Sequence, residues 1–366
     1  MWKFSTKRHS TLLLLPVLLS CLSVSCLDVV EAPCTNPAIR KEWRALSDAQ
    51  KAQWIDAVKC LANLPHDPAL VPTINPRDIP PVNTSSSYYD DFVYVHMDLN
   101  TIIHSTGLFL PWHRHYVHSY EVALREKCGY SGASPYWDWT QDSHDVEAAT
   151  IFDSDPTTGL GLWGDRGQDY QVTTGGFSSS STFKLSYPSP HPLRRNFTLQ
   201  PFLGFPPVLG DVTVTANSTF TKEKIDGLVN GHVGDFKRFQ MEFEWFMGSH
   251  SAVHLMFAGD MGGTCPGDAP SGCVGGPTFS ANEPMFWLHH AMVDKVWYDW
   301  QLKSPANAVA FEGGSAPHLD HYDIYPTGGP PWLTLDSPMR GDGLFAEATI
   351  GQVLNTTAGT LCYVYA

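Results

Sequence analysis

The sequence predicts a mainly α-helical protein: a four-helix bundle core housing a dinuclear metal site, with long irregular loops and few short strands. Three observations lead there. Five segments carry apolar residues at helical spacing. His96, His104, His113, His250, His254 and His290 fall on four of those segments or directly beside them. The tract from residue 142 to residue 231, rich in Ser, Gly and Pro, has no periodicity and reads as a long loop over a core.

The first residues set the compartment. Lys3, Lys7 and Arg8 precede an apolar run, Leu12 to Leu22, that is too short to span a bilayer. Residues 1–26 are expected to be a secretory signal, and residues 27–366 a single catalytic domain, since no linker or repeat divides them. Leu18-Leu19-Ser20-Cys21 also fits a lipoprotein box, but Asn83, Asn196, Asn217 and Asn355 head Asn-x-Ser/Thr sites that favour a glycosylating pathway and a secreted, extracellular product. Cys34, Cys60, Cys128, Cys265, Cys273 and Cys362 then remain, and three disulfides are expected. Cys265 with Cys273 closes the easiest loop, and Cys34 with Cys362 would tie the ends of the chain together. The net charge of −14 argues against nucleic acid or an anionic membrane as partner, and no segment after the signal is apolar for long enough to cross a bilayer. A small neutral substrate fits better. Oligomeric state leaves no mark in the sequence.

The helical segments follow in order. "PAIRKEWRALSDAQKAQWIDAVKCLANL" predicts one or two amphipathic helices, with Ser47 as N-cap of the second. "SYYDDFVYVHMDL" predicts another. "PWHRHYVHSYEVALREKC" predicts a third that carries Pro111 in its first turn and ends before Gly129. "DFKRFQMEFEWFMGSHSAVHLMF" predicts a fourth, and "NEPMFWLHHAMVDKVWYDWQL" a fifth that opens at Pro284.

Two ligands converge most simply when they sit four apart on one helix, where their side chains are neighbours. His250 and His254 do this, and Ser251 stands where a zinc protease would carry its glutamate. On the last helix, Phe286, His290, Val293, Asp294 and Trp297 form one stripe. His289 is rotated roughly 100° from it and is expected to support the site or wall the pocket. His113 shares a face with Val117, Tyr120 and Leu124, whereas His115 and His118 lie on other faces and are expected to hydrogen-bond on the helix flank. His96 lies within a helix, and His104 is expected on a loop that swings back. Two three-histidine sites emerge, His96/His104/His113 and His250/His254/His290. All-imidazole sites suit copper or zinc rather than magnesium or calcium. Ligands from four helices suit a dinuclear centre in a bundle core.

These residues resemble a known family. "HMDLNTIIHSTGLFLPWHRHYVHSYEVALR" is similar to the first copper-binding region of the tyrosinase and catechol oxidase (polyphenol oxidase) family, and "GSHSAVH" with "NEPMFWLHHAMVDKVWYDWQ" to the second. "PYWDW", residues 135–139, and the closing "YVY", Tyr363 to Tyr365, resemble further signatures. The resemblance implies a type-3 pair of copper ions on those six histidines, with O2 as co-substrate and small phenols as substrates. It also implies a short form without a C-terminal shielding domain, in which Asp294 pairs with Arg40 or Arg44. Phe109 or Trp112 is expected to wall the first copper, Leu255 to add an apolar wall, and residues 275–280 to border the entrance.

Two departures matter. Many relatives link a cysteine to the second histidine by a thioether; no cysteine lies between Cys60 and Cys128, so packing alone is expected to hold His104. Glu283-Pro284 replaces the usual Asp-Pro, a change expected to affect helix capping. Hydroxylating a monophenol needs a general base. By family pattern Glu242 would hold a basic water, with Ser251 where efficient hydroxylases carry asparagine. A serine hydroxyl fixes that water less firmly than an amide, which both donates and accepts. The expected activity is therefore oxidation of o-diphenols to o-quinones with weak monophenol hydroxylation. A full tyrosinase, an o-aminophenol oxidase and a haemocyanin-like oxygen carrier are the competing readings.

Overall fold

The structure, a computed structural model, describes residues 34–359 and 361–366; the expected signal, residues 1–26, lies outside them. Helix α1 (Asp48–Leu61) starts at a capping box in which Ser47 and Gln50 satisfy each other's backbone N–H groups. Helix α2 (Tyr88–Ile103) starts the same way at Ser87 with Asp90, and runs four residues past the expected stretch. Helix α3 (Phe109–Cys128) carries Pro111 in its first turn and stops at Gly129. Helix α4 (Lys222–Asn230) was not expected; it lies inside the tract read as loop, with Thr221 as N-cap and Ile225, Leu228 and Val229 buried.

The predicted fourth helix is two. Helix α5 (Phe236–Glu244) and helix α6 (Ser249–Phe257) are separated where Trp245 turns extended, at φ −44° and ψ 149°. The reversal is tight: a β-carbon on Gly248 would lie 2.6 Å from the carbonyl oxygens of Glu242 and Phe243. Helix α7 (Met285–Leu302) follows Pro284 as expected. Helices α2, α3, α6 and α7 enclose the histidines.

The segment before Ser47 is not helical. Ala38–Arg40 forms strand β1 and Trp43–Ala45 a single 3-10 turn. Strands β2 (Gly314–Ala316) and β3 (Gly329–Trp332) pair antiparallel, as do β4 (Pro338–Met339) and β5 (Ala348–Thr349). Strand β6 (Tyr363–Tyr365) returns to lie parallel to β1, with Arg40 opposite Tyr365. Cys34–Cys362 closes that junction, and Cys60–Cys128 and Cys265–Cys273 complete the three disulfides.

The long tract is built into the core. Phe177, Phe183, Leu193 and Phe202 are fully buried. Arg195 holds Glu283 at 2.8 and 3.1 Å and also donates to the carbonyls of Leu160 and Gly161, so one buried guanidinium ties the tract to the start of α7. Glu283 in turn accepts the Met285 N–H, which is the capping role expected of it. Asp260 fastens a second point, accepting from His191 at 2.8 Å and from the Arg194 N–H at 2.6 Å.

Candidate metal centre

The structure brings seven histidines together in two groups. His96, His104 and His113 each bring a ring nitrogen within 4.8 Å of the others, and so do His250, His254, His289 and His290. The groups touch: His113 stacks on His290 with ring centroids 4.4 Å apart, and Phe109 lies edge-on to His250 at 4.7 Å while also contacting His113 and His104. Phe286 packs on His290 at 4.2 Å and reaches His96 and His254, so both phenylalanines form apolar walls.

The backbone decides which nitrogen each ring offers. Nδ1 of His96, His104, His113 and His254 faces the carbonyl oxygens of Thr278, Asn100, Phe109 and Met261, at 2.9, 3.1, 2.7 and 3.0 Å. A carbonyl only accepts, so each Nδ1 carries the proton and each Nε2 keeps a bare lone pair. The Nε2 atoms of His96, His113 and His250 are buried without a hydrogen-bond partner. Those of His254 and His290 point at each other, 3.2 Å apart. A buried polar atom with no partner costs ~1–3 kcal/mol, and several such atoms aimed at one place are the donor set of a cation that accepts soft nitrogen ligands. Copper fits this set, which contains no thiolate or carboxylate.

His289 is set apart by the same reasoning. The Trp139 indole N–H, which can only donate, points at His289 Nδ1 from 3.2 Å. Nδ1 therefore accepts, and Nε2, although buried without a partner, carries the proton and so offers no lone pair to a metal. His289 supports the group from behind, as its rotation on α7 predicts.

Burial keeps the cluster neutral. Desolvation, followed by the mutual repulsion of neighbouring rings, pushes His113, His250 and His290 well below the ordinary histidine value; desolvation takes His104 down to about 4 against its bond to Asn100 O, and desolvation with a smaller repulsion from His104 takes His254 to about 4. A neutral imidazole is the form a metal binds. His115 Nε2 donates to Ala346 O over 2.7 Å, and His118 stacks on Tyr363, so both stand outside the cluster.

Glu242 does not reach the site. The break between α5 and α6 turns it outward, where its half-exposed carboxylate meets His232 Nε2 at 2.7 Å on the wall of a cavity of about 620 Å³ shared with Trp245 and Tyr322. This removes the geometric basis for its expected role as base. Ser251 Oγ donates to the Glu244 carbonyl at 2.9 Å, closing the end of α5, so its one proton is committed. The buried carboxylate is Glu244, which accepts from the Ser105 N–H and from Gln240. Burial outweighs those two bonds and pushes it up to about 8. Two polar residues one turn apart, Gln240 and Glu244, on a helix whose other buried positions are Phe236, Phe239 and Phe243 were the signal in the sequence. Leu255 is half-buried, packed against the core from α6.

Asp294 lies one turn beyond His290. Its carboxylate receives Arg40 and Arg114 together with the hydroxyls of Tyr363 and Tyr365, both at 2.6 Å. Of the two arginines considered, Arg40 is the partner; Arg44 pairs with Glu42 and Asp142. Arg114 was not anticipated, although it sits directly after His113.

The tyrosinase family model, described as the common central domain of tyrosinase, matches residues 86–303, which span all the histidines above. A tyrosinase-like protein of Diaporthe leptostromiformis is 33% identical over 356 residues, covering 91% of this chain and 78% of its own length. An N-acetyl-6-hydroxytryptophan oxidase of Emericella nidulans is 27% identical over 401 residues, covering 96% and 98%. The fold matches that of a polyphenol oxidase variant from Thermothelomyces thermophila with a TM-score of 0.66 at 24% identity, covering 90% of this chain and 89% of that one. With a family model across more than half its length and a close relative across nearly all of it, this chain belongs to the tyrosinase family.

Proposed function

We propose that the chain is a dinuclear copper oxidase that converts o-diphenols to o-quinones while dioxygen is reduced to water, with only weak hydroxylation of monophenols. The observation behind this reading is the convergence of two buried histidine groups in which Nε2 of His96, His113 and His250 has no partner and those of His254 and His290 meet only each other; His96, His104 and His113 would hold one copper and His250, His254 and His290 the other. Bound copper supplies the electron transfer that imidazole cannot: two diphenols give up four electrons and four protons, and one dioxygen takes them up as two waters.

The chain's own residues do the rest. The Nδ1 bonds to backbone carbonyls fix the orientation of His96, His104, His113 and His254 before metal or substrate arrives. Phe109 and Phe286 flank the histidines and exclude water from them. A monophenol must lose its proton to a base, and the carboxylates offer little. Glu242 faces solvent and His232. Glu244, pushed up to about 8 by burial, has both of its oxygens already accepting hydrogen bonds from Ser105 and Gln240. A diphenol, more acidic and bearing two oxygens, depends less on such a base. Three disulfides support an oxidising, extracellular compartment.

Oxygen uptake by the copper-loaded protein, with a monophenol and its matching o-diphenol in parallel, tests the reading. Prompt uptake with the diphenol and slow, lagging uptake with the monophenol is expected. Equal, prompt uptake with both would make the chain a full tyrosinase. No uptake with either, despite two bound coppers, would favour an oxygen carrier.

A further inference from the structure

Five of the six proposed ligands sit within helices, where the helix itself fixes the direction of the side chain. His104 does not. It is the residue at which the chain leaves α2, with extended backbone at φ −122° and ψ 145°. Ser105 after it takes a left-handed conformation, φ 54°, which is strained for a residue with a β-carbon. Local bonds tie the ring and the turn back to α2, from His104 Nδ1 to Asn100 O at 3.1 Å and from Thr106 Oγ1 to Ile102 O at 2.6 Å, but they leave the Ser105 N–H and the Thr106 carbonyl to be held from elsewhere, and no cysteine between Cys60 and Cys128 is present to bond the ring.

The grip comes from α5. Glu244 Oε1 accepts the Ser105 N–H at 2.6 Å, and Glu244 Oε2 accepts from Gln240 Nε2 at 2.9 Å. The same Gln240 amide donates to Thr106 O at 2.7 Å. Two side chains one helical turn apart therefore hold two consecutive residues of the turn, one by its N–H and one by its C=O. Both are buried, and among the described residues no ion pair neutralises Glu244. From the other side the Gly107 N–H donates to Gly314 O at 3.0 Å, so closely that a β-carbon on Gly107 would lie 2.9 Å from Gly313 Cα. Resting on the copper reading above, we infer that Glu244 and Gln240 form a noncovalent clip that positions His104 for the first metal. They are positioning residues; neither need touch the substrate. The clip also gives a buried carboxylate a purpose that the missing base function does not.

Single-site backgrounds test this. His254→Ala leaves the first group intact, and His113→Ala leaves the second. Copper(II) affinity is measured in each by competition with a chelator, with and without Glu244→Gln, which keeps the shape and one acceptor but sets an amide N–H against that of Gln240. In the His254→Ala background the substitution should weaken copper binding roughly 10- to 100-fold, the range for residues that orient a ligand from behind. In the His113→Ala background it should change affinity less than about twofold, and circular dichroism should show the same fold in both. Equal weakening in the two backgrounds, or none in either, would overturn the clip. The unsubstituted chain is the reference: if it binds no copper, the reading of the site falls and the clip with it, which separates the two failures. Glu244→Ala, if it folds, should deepen the first-site loss and still spare the second.

Discussion

His290 and Asp294 lie one turn apart on α7, both buried, and their surroundings are opposites. Around Asp294 every requirement is met: two guanidinium groups and two phenol hydroxyls converge on one carboxylate, and burial is offset by Arg114 and Arg40 so that its pKa stays below the usual range. Around His290 the requirement is left open: its Nδ1 is buried without a partner, and its Nε2 meets only the Nε2 of His254, 3.2 Å away. A buried polar cluster that is complete holds a fold together. One that is incomplete in so consistent a way waits for a ligand. The same helix carries both, so the rigidity of the first sets the geometry of the second.

The comparison breaks most sharply at the histidines. His254→Ala should reduce bound copper from two ions per chain to one and abolish turnover, read by metal analysis and oxygen uptake; two retained coppers would show the assignment of that group to be wrong. Asp294→Ala comes next. It strips the carboxylate from Arg114 and one of two partners from Arg40, and removing one member of a buried ion pair costs ~3–5 kcal/mol. Denaturant unfolding of the metal-free protein should show a loss of that size.

His289→Ala separates ligand from neighbour. Copper content should stay at two per chain, while the orphaned Trp139 N–H costs ~1–3 kcal/mol of stability; loss of one copper would reverse the tautomer assigned to His289. The smallest effect concerns acid. His118, His104 and His254 have folded pKa values lowered to about 4, chiefly by burial. At pH above the unfolded value of about 6.5 they are neutral in both states and contribute nothing. As pH falls from there towards 4 the unfolded chain takes up protons that the folded one refuses, so stability of the metal-free protein falls across that window. His118→Gln should make the fall slightly less steep without changing copper content, measured as melting temperature against pH.

Much of this was legible because periodicity and caps are local. Ser47, Ser87 and Pro284 mark helix starts, and the stripe through His290 gave the correct face of α7. The break at Trp245 was not legible, since the apolar spacing continues through it and only the close approach at Gly248 requires the turn. That break is why Glu242, read on one continuous helix with His250, points elsewhere. The partners of His96 and His254 are carbonyls of Thr278 and Met261, and a backbone carbonyl has no signature in a sequence. Helix α4 escaped because it is short and surrounded by turn residues.

The β1–β6 junction has a consequence for the order of events during synthesis. A ribosome releases Asp294 well before Tyr363 and Tyr365, and until those last residues emerge the carboxylate lacks two of its four donors. Arg40, made early, likewise waits for the parallel strand that completes its backbone pairing. The helices that carry the histidines are thus translated before the frame that steadies Asp294 is complete.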